Sequence, residues 1–289
     1  MNYSPSSLAL YQSCPQAFEF KYISKLPIQE IKSLPMLKGI IVHRILELCA
    51  HGETDVLPRI VAEFNSFDLA KDLYDELKTN VLVNGFYDNL FETEKRVEFN
   101  YGEFNFVGII DRINKFSDKE YEVVDYKYGK NEHSNMNSLQ PHIYSWAMFK
   151  RFGNDINLRF TYYNIHHRTK YTKKFKPEDV SMDSIVKLVN NAQVNFSANP
   201  GFYCLWCDFF KYCKQGKEYV DGEIEVEGVD ITNVGDKLLW LRERQRMYNF
   251  KQKKYEEILK LYFEHTGQTD LRLSNKTILY DEDAKKLIY

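Results

Sequence analysis

Several features that would define a class of protein are missing from this sequence. No apolar run is long enough to cross a bilayer, which excludes a helical membrane protein. Residues 1–20 have neither the charged segment nor the clean apolar segment of a secretion signal, so we expect a cytoplasmic protein, either prokaryotic or phage-encoded and active in the host cytoplasm. A GxxxxGK(S/T) motif is also lacking, which excludes a P-loop helicase motor within the chain.

The sequence also lacks a strong net charge, because 39 Lys and Arg residues stand against 41 Asp and Glu residues. A protein that binds nucleic acid over its whole surface would be strongly basic, so any such contact must come from a local basic face. Hydrophobic residues make up 44% of the 289 positions, which is enough for a core and argues against general disorder.

Hydrophobic periodicity predicts helices and strands in alternating groups. Helical spacing is found in residues 4–24, 36–51, 55–93, 138–152, 177–197 and 235–266. Strand-like alternation is found in residues 95–100, 103–114, 121–127, 158–165 and 170–175, with a small hairpin at 270–289. This order predicts a mixed α/β fold, in which helices flank a central mixed sheet. We expect one domain at residues 1–216 and a C-terminal extension at 217–289.

Two of the predicted strands carry acidic residues at matching positions. If the turn between them is centred near Asp118, Asp111 on one strand lies opposite Asp125 on the other. Residues two apart on a strand share a face, so Lys127 lies beside Asp125. Adjacent carboxylates repel one another, and a divalent cation such as Mg²⁺ or Mn²⁺ relieves that repulsion. A lysine beside the ion could orient or help to deprotonate an attacking water and stabilise charge on a phosphate.

A salt-bridged pair on a solvated strand is the simpler interpretation of Asp125 and Lys127, because Asp-x-Lys is a very common tripeptide. The second aspartate at matching register, Asp111, makes the metal-site interpretation comparable with it. Further residues of the chain are needed to decide between the two.

The motifs of this hairpin resemble those of the PD-(D/E)xK nuclease superfamily, in particular its RecB-like branch. In that branch the first carboxylate lies in a Gly-x-x-Asp-Arg-Ile-like strand, which the segment GIIDRI at residues 108–113 matches. The second motif is Asp-Tyr-Lys, which residues 125–127 match. The resemblance implies a restriction-endonuclease-like core and a metal-dependent deoxyribonuclease with Asp111, Asp125 and Lys127 as catalytic residues.

Further residues match other elements of the same family. The family places a metal-binding histidine after a glycine on an earlier helix, and the segment GIIVH at residues 39–43 ends in His43. It also carries a glutamine and a tyrosine one helical turn apart, which Gln140 and Tyr144 match on one helix face. By resemblance His43 joins the two aspartates as a metal ligand, and Gln140 and Tyr144 border the active site with the catalytic residues. Glu98, before the first catalytic strand, is a weaker candidate.

The five cysteines are unevenly placed. Cys204, Cys207 and Cys213 lie within ten residues, whereas Cys14 and Cys49 lie far from them in the first part of the chain. In a reducing compartment such a trio is more typical of metal ligands than of disulfides. Three thiolates from one loop need a fourth ligand, for which Cys14 is the natural candidate, and Cys49 is expected to be a buried helix residue.

The segment around Cys14 resembles the N-terminal cysteine motif of iron–sulfur RecB-like nucleases, such as the AddB nuclease domain and the CRISPR adaptation nucleases. In those proteins one N-terminal cysteine joins a C-terminal trio to hold a 4Fe–4S cluster. The resemblance implies that Cys14, Cys204, Cys207 and Cys213 hold such a cluster and fasten both ends of the domain. Zinc is an alternative, although structural zinc sites usually use two paired motifs, and unligated buried thiols are another.

Basic residues concentrate after the predicted catalytic strands, in residues 151–176. The candidates for contact with a DNA backbone are Arg159, Arg168, Lys170 and Lys173. Tyrosines are interleaved with them and could stack on bases. A solvated hairpin explains the same composition equally well.

Together these features predict a metal-dependent DNA exonuclease that acts on single-stranded ends in recombination, repair or phage DNA processing. Trimming of DNA fragments in CRISPR adaptation would use the same chemistry. The alternative from a different class is a non-catalytic DNA-binding module. The long helix at residues 235–266 carries basic residues and an apolar stripe, so we expect it to dock on the nuclease, to form homo-oligomers or to bind a recombination partner.

Overall fold

The computed structural model describes residues 1–28, 34–83, 85–129, 135–221, 231–272, 277–281, 283 and 285–288. The chain divides into two compact units, Met1–Ile224 and Glu225–Tyr289. In these described ranges, no helix has both the length and the apolar composition that crossing a membrane requires.

The first unit alternates helices and strands in the predicted order. Its α-helices are α1 (Pro5–Ser13), α2 (Pro15–Phe18), α3 (Leu34–Ala50), α4 (Leu57–Phe64), α5 (Phe67–Asn80), α6 (Leu139–Phe152), α7 (Met182–Val194) and α8 (Lys214–Asp221). Its strands are β1 (Asn2–Tyr3), β2 (Leu90–Tyr101), β3 (Phe104–Ser117), β4 (Glu120–Lys127), β5 (Asn157–Asn164) and β6 (Thr169–Phe175). Shorter elements are a π-helical turn at Glu19–Ile23 and 3-10 turns at Pro177–Asp179, Phe202–Trp206 and Phe210–Tyr212. The helix predicted for residues 55–93 is thus two helices, and β2 begins before its predicted end.

The strands form one mixed sheet in the order β1-β3-β4-β5-β6, and β2 pairs with β3 outside that path. β1 pairs with β3 and β4 pairs with β5 in parallel, whereas the other neighbours are antiparallel. A short turn joins β3 to β4, but the parallel step from β4 to β5 needs a crossover, which α6 supplies. Strand β1 was not predicted, because two residues are too few to show a periodicity.

The sheet separates two hydrophobic clusters, and strand residues alternate between them. Val123 packs in the first cluster and its neighbour Val124 in the second. α1, α6 and α7 cover the first face through Leu8, Ile143 and Val189. α3, α4 and α5 cover the second face. Helices therefore flank a central mixed sheet, and the predicted mixed α/β class is confirmed.

The start of α1 follows from its sequence. Ser4 Oγ accepts a hydrogen bond of 3.1 Å from the N–H of Ser7, and Ser7 Oγ accepts one of 2.9 Å from the N–H of Ser4. This reciprocal capping box, with Pro5 in the first turn, fixes where the helix begins. The helix ends at Cys14, whose N–H donates to the carbonyl oxygen of Leu10 at 2.8 Å. Cys14 is thereby held in the bend between α1 and α2.

The second unit contains α9 (Ile231–Thr266) and a three-stranded antiparallel sheet of β7 (Asp270–Arg272), β8 (Thr277–Asp281) and β9 (Lys286–Ile288). Phe263 of α9 stacks on Tyr280 of β8 with ring centroids 5.4 Å apart, which anchors the helix to the sheet. The predicted helix at 235–266 is present, and the predicted hairpin has a third strand. A partner for this helix stays a prediction.

Candidate active site

Strands β3 and β4 bring the two predicted aspartates together. Arg112 pairs with Val124, so the next residues in register, Asp111 and Asp125, lie opposite each other as predicted. Both are buried, with exposed fractions of 8% and 2%. The Oδ2 atom of Asp111 accepts a hydrogen bond of 2.7 Å from the N–H of Tyr126, which fixes this carboxylate against the neighbouring strand.

Asp111 of this pair also belongs to a compact group of one imidazole and two carboxylates. His43 from α3, Glu94 from β2 and Asp111 from β3 each offer one ligand atom, and these three atoms lie within 4.8 Å of one another. The Nδ1 atom of His43 is 3.6 Å from Oδ2 of Asp111, and its Nε2 is 3.0 Å from the carbonyl oxygen of Tyr126. Helix α3 and the two neighbouring strands β2 and β3 therefore each bring one ligand to the same point.

Glu94 is the member of this group that the sequence did not reveal. The register of β2 on β3 places it opposite Asp111. Its backbone φ of 45° lies in the left-handed region, so the simple alternation that assigns strand residues to faces fails at this position. Glu98, the weaker candidate, has a half-exposed side chain that accepts a hydrogen bond of 2.8 Å from Asn105 and is not part of the group.

Lys127 and Gln140 enclose Asp125. The Nζ atom of Lys127 lies 2.6 Å from Oδ2 of Asp125, and Nε2 of Gln140 donates a hydrogen bond of 2.6 Å to Oδ1. Lys127 Nζ also donates to Oε1 of Gln140 at 3.3 Å, so the three side chains form a closed ring. Oδ2 of Asp125 is close enough to Lys127 for an ion pair but has no partner in hydrogen-bond geometry, which leaves it able to take a further ligand. The salt bridge between Asp125 and Lys127 is thus present, but its carboxylate is buried, unlike that of a pair on a solvated strand.

Tyr144 lies one turn after Gln140 on α6 and reaches the backbone of β3. Its hydroxyl donates a hydrogen bond of 2.7 Å to the carbonyl oxygen of Ile109. A Cβ atom at Gly108 would lie 2.5 Å from Cε1 of Tyr144, so only glycine leaves room for the ring. Burial raises the pKa of the Tyr144 hydroxyl, which keeps it protonated as a donor. The glycine of the GIIDRI segment is thus explained by the close approach of Tyr144.

Alanine at Gly108 should displace Tyr144 and destabilise the fold by about 1–3 kcal/mol, because the added methyl group overlaps a buried ring. The free energy of unfolding in urea measures the effect. Gly129→Ala is the matched control, since a Cβ there meets no atom within 4 Å. Equal destabilisation of the two variants would contradict the packing explanation.

Two carboxyl groups of the site, those of Asp125 and Glu94, have raised pKa values. Burial and the charge of Asp111 raise the pKa of Asp125 to about 7, against the opposing charge of Lys127. Burial and the charge of Asp111 also raise the pKa of Glu94 to about 7. Burial alone would lower the pKa of His43, but its hydrogen bond and charge interaction with Asp111 raise that pKa to about 9. For Lys127, burial lowers the pKa and the charge of Asp125 outweighs it, so the pKa is raised and the amine stays an ammonium.

These shifts predict that the metal-free protein loses stability as the pH rises. The pKa values of Asp125 and Glu94 are about 7 when folded and about 4 when unfolded, so their contribution is present below about pH 4 and is lost as the pH rises through about 7. The contribution of His43 is present below about pH 6.5 and is lost through about pH 9. Because Mg²⁺ replaces the protons, it should reverse part of this loss.

Urea unfolding in EDTA and in Mg²⁺, at about pH 5 and about pH 8, measures this dependence. The variant Asp125→Asn has one fewer titrating group and should lose less stability over the same interval. Identical pH dependence in the wild type and the variant would show that this carboxyl is not the source.

The four basic candidates for DNA contact lie on or beside β5 and β6 in different settings. Arg159 forms an ion pair of 3.3 Å with a glutamate of β4, and Arg168 donates a hydrogen bond of 3.3 Å to an asparagine of α5. The Nζ atoms of Lys170 and Lys173 each lie 4.8 Å from the centroid of an aromatic ring. Contact of these four residues with DNA stays a prediction.

Four of the five cysteines line one small pocket. Cys14 comes from the bend after α1, Cys204 from the 3-10 turn Phe202–Trp206, Cys207 from the residue after that turn, and Cys213 from the residue before α8. Cys14 and Cys204 are buried, and all the cysteines have free thiols. Cys49 lies on α3 outside this pocket and packs against the second hydrophobic cluster, but it is only partly buried, so the expectation of a buried residue was wrong. The structure therefore brings together the four cysteines that the sequence grouped.

Backbone N–H groups point at two of these sulfur atoms. The N–H of Gly201 donates to Sγ of Cys204 at 3.4 Å, and that of Gly216 donates to Sγ of Cys213 at 3.3 Å. A Cβ atom at Gly216 would lie 3.4 Å from Sγ of Cys213 and 3.6 Å from Sγ of Cys204. Within the described ranges, His43, Glu94 and Asp111 form the only group of three candidate metal ligands whose ligand atoms lie within 4.8 Å of one another. No three cysteine sulfurs in those ranges are therefore that close.

The sequence matches the PD-(D/E)XK nuclease superfamily over residues 2–214. Among solved structures, the "Crystal structure of SSO0001" is 15% identical with a TM-score of 0.41 and covers 74% of this chain and 86% of that one. Another, a "Putative exonuclease" from Eubacterium rectale, is 7% identical with a TM-score of 0.47 and covers 81% of this chain and 92% of that one. No curated protein matches the sequence. Because the family match spans most of its length, the chain belongs to the PD-(D/E)XK nuclease superfamily.

Proposed function

We propose that this protein is a divalent-metal-dependent DNA exonuclease of the RecB-like branch, acting on single-stranded ends in recombination, repair or phage DNA processing. One observation carries the proposal: Asp111 and Asp125 are buried opposite each other, with an ammonium and an imidazole in contact with them. Membership of a nuclease superfamily supports DNA as the substrate. The proposed place of action is the cytoplasm of a prokaryote or of a phage-infected host.

The residues present fit a divalent metal ion. His43, Glu94 and Asp111 supply one nitrogen and two carboxylate oxygens within 4.8 Å of one another, and Asp125 offers an oxygen from the next strand. This donor set suits Mn²⁺ or Mg²⁺ better than soft metals, which prefer thiolates. Nucleases of this superfamily use divalent metals, and such an ion supplies an activated water and neutralises charge on the phosphate.

The side chains of the ring around Asp125 have separate tasks. Lys127 is held as an ammonium by the carboxylate 2.6 Å away, so its task is to orient the attacking water and to stabilise negative charge on the phosphate, not to accept a proton. Gln140 bridges Asp125 and Lys127 and fixes both at once. Tyr144 locks α6 to β3 through its hydroxyl, which keeps Gln140 in register with the strands. These are positioning roles, in which rigidity preserves the geometry.

We further propose that Cys14, Cys204, Cys207 and Cys213 hold a 4Fe–4S cluster. Four thiols in one pocket and N–H donors to their sulfurs support ligation. The spacing of the cysteine sulfurs favours an iron–sulfur cluster over zinc. Four thiolates bound about 2.3 Å from a single zinc ion would lie about 3.8 Å apart. A four-iron cluster takes one thiolate at each iron and so spaces them more widely. The cluster would fasten the start of the first unit to its end.

Two other functions use parts of the same structure. Trimming of DNA fragments in CRISPR adaptation needs the same site and the same four cysteines. A non-catalytic DNA-binding module would not need the contacts among Asp125, Lys127 and Gln140, and their presence argues against it.

Incubation of the protein with end-labelled DNA in Mn²⁺ or Mg²⁺ tests the proposal. We expect single-stranded DNA to be degraded to short products from its ends, and the label at either end gives the polarity. A blunt duplex should be degraded more slowly. Binding of single strands without any cleavage would favour the non-catalytic module and contradict the proposal.

A further inference from the structure

A polar groove opens beside the active site on the α6 side of the sheet. Its walls come from the start of α6, the last part of β6, α7 with the turn before it, and α1. Its volume is about 600 Å³. The groove belongs to the first unit alone.

The groove reaches the catalytic side chains through one tyrosine. Ser138 on the groove wall lies with its Oγ 3.1 Å from the hydroxyl of Tyr162. The Nζ atom of Lys127 lies 5.3 Å from the centroid of the same ring. Ser138 is also the cap of α6, two residues before Gln140. The groove wall and the catalytic lysine therefore adjoin the same buried ring and lie next to one another.

Two lysines give the groove a positive character. Lys173 and Lys187 line it together with one acid, Asp179, whose carboxylate accepts the N–H of Lys176 at 2.9 Å. Lys173 Nζ makes a hydrogen bond of 3.4 Å to Asn137 of the same wall. In the part of the chain that the structure describes, neither lysine of the groove forms an ion pair with a carboxylate. Both ammonium groups are thus available to phosphates.

The remaining lining suits the edges of unpaired bases. It combines side-chain amides and hydroxyls with apolar side chains that would contact base faces. The polar members are Gln12, Asn137, Ser138, Ser181, Ser184 and Asn191. Amides and hydroxyls donate and accept hydrogen bonds, as the exposed Watson–Crick edges of single strands require. Burial and the charge of Lys173 lower the pKa of His142 at the groove, so this histidine stays neutral at neutral pH.

We propose that this groove is a subsite for a short stretch of single-stranded DNA next to the cleavage site, with Lys173 and Lys187 on its phosphates. The inference rests on the proposed nuclease function. The lining favours a single strand, because its amides and hydroxyls would meet base edges that a duplex keeps in base pairs. Of the four basic residues suggested by the sequence, Lys173 alone lines the groove, and Lys187 is new.

Binding of fluorescein-labelled oligothymidylate, measured by anisotropy in EDTA, tests the subsite without cleavage. We expect Lys173→Ala combined with Lys187→Ala to weaken binding about tenfold or more and to lower the slope of log affinity against log salt by about 1.4, as two lost phosphate contacts require. Lys174→Ala is the matched control, because Lys174 neighbours Lys173 on the opposite face of β6 and does not line the groove. It should bind within about twofold of the wild type.

Three results would overturn the subsite: no binding by the wild type, unchanged binding by the double variant, or an equal loss in the Lys174 control. An equal loss for a blunt duplex would overturn the assignment to a single strand. The nuclease function is judged separately, by metal-dependent cleavage. If the wild type cleaves DNA and the double variant binds normally, the subsite is refuted and the nuclease function stands. If binding depends on the two lysines but no cleavage occurs, the nuclease function is refuted and the subsite stands.

Discussion

Asparagine in place of Asp125 should abolish metal-dependent DNA cleavage, with a loss of about a thousandfold or more, and leave the protein folded. The amide keeps the size of the carboxyl group and can still accept the hydrogen bond from Gln140. It removes the oxygen that faces Lys127 and the metal group, and with it the negative charge that holds the ammonium in place. The substitution therefore separates catalysis from folding.

At neutral pH in metal-free buffer the variant should be at least as stable as the wild type, because it lacks the buried carboxyl whose raised pKa, about 7, makes the wild type lose stability as the pH rises. Single-turnover cleavage and urea unfolding measure the two effects on one preparation. Asp155→Asn is the matched control, since Asp155 is exposed and pairs with Lys119 in the turn between β3 and β4, and neither residue belongs to the site. A variant that unfolds, or a control that loses cleavage equally, would contradict the assigned role.

Serine in place of Cys14 should release the iron and destabilise the protein by about 5 kcal/mol or more, because the ligation free energy of a structural metal site is also folding free energy. In the proposed cluster, Cys14 would be the ligand from the start of the chain, and the other three would come from residues 204–213. Without it the helix α1 keeps its own cap but loses its tie to the turns before α8. We expect loss of the brown colour and of the charge-transfer absorption of the anaerobically purified protein.

Cys49→Ser is the matched control for this prediction, because Cys49 lies on α3 outside the cysteine pocket. It should keep its iron and most of its stability. Iron and zinc contents by elemental analysis, together with thermal unfolding, distinguish the outcomes. Colourless wild-type protein with stoichiometric zinc, or a Cys14 variant that keeps all its iron, would refute the cluster.

Much of the site could be predicted because its chemistry lies on regular strands. The turn near Asp118 sets the register of β3 and β4, and that register alone places Asp111 opposite Asp125. The alternation of a strand places Lys127 beside Asp125, as the 2.6 Å contact of their charged atoms bears out. The mixed sheet between two helical layers followed from element order in the same way.

The features of the fold and the site that the sequence did not predict were missed for local structural reasons. Glu94 escaped notice because its left-handed backbone interrupts the alternation of β2, and only the three-dimensional register reveals its approach to Asp111. Strand β1 has too few residues to carry a pattern. The role of Gly108 depends on a ring from another element, which a single sequence does not disclose. The groove with Lys187 likewise exists only once α6 and α7 have packed together.

Cleavage of end-labelled single-stranded DNA by metal-stripped protein, titrated with Mg²⁺ or Mn²⁺, tests the central claim most directly. A site built from His43, Glu94, Asp111 and Asp125 predicts no cleavage in EDTA and cleavage that rises to saturation with the metal. It also predicts no cleavage by the Asp125→Asn variant at any metal concentration. Cleavage that persists in EDTA, or that is undiminished in the variant, would contradict the claim.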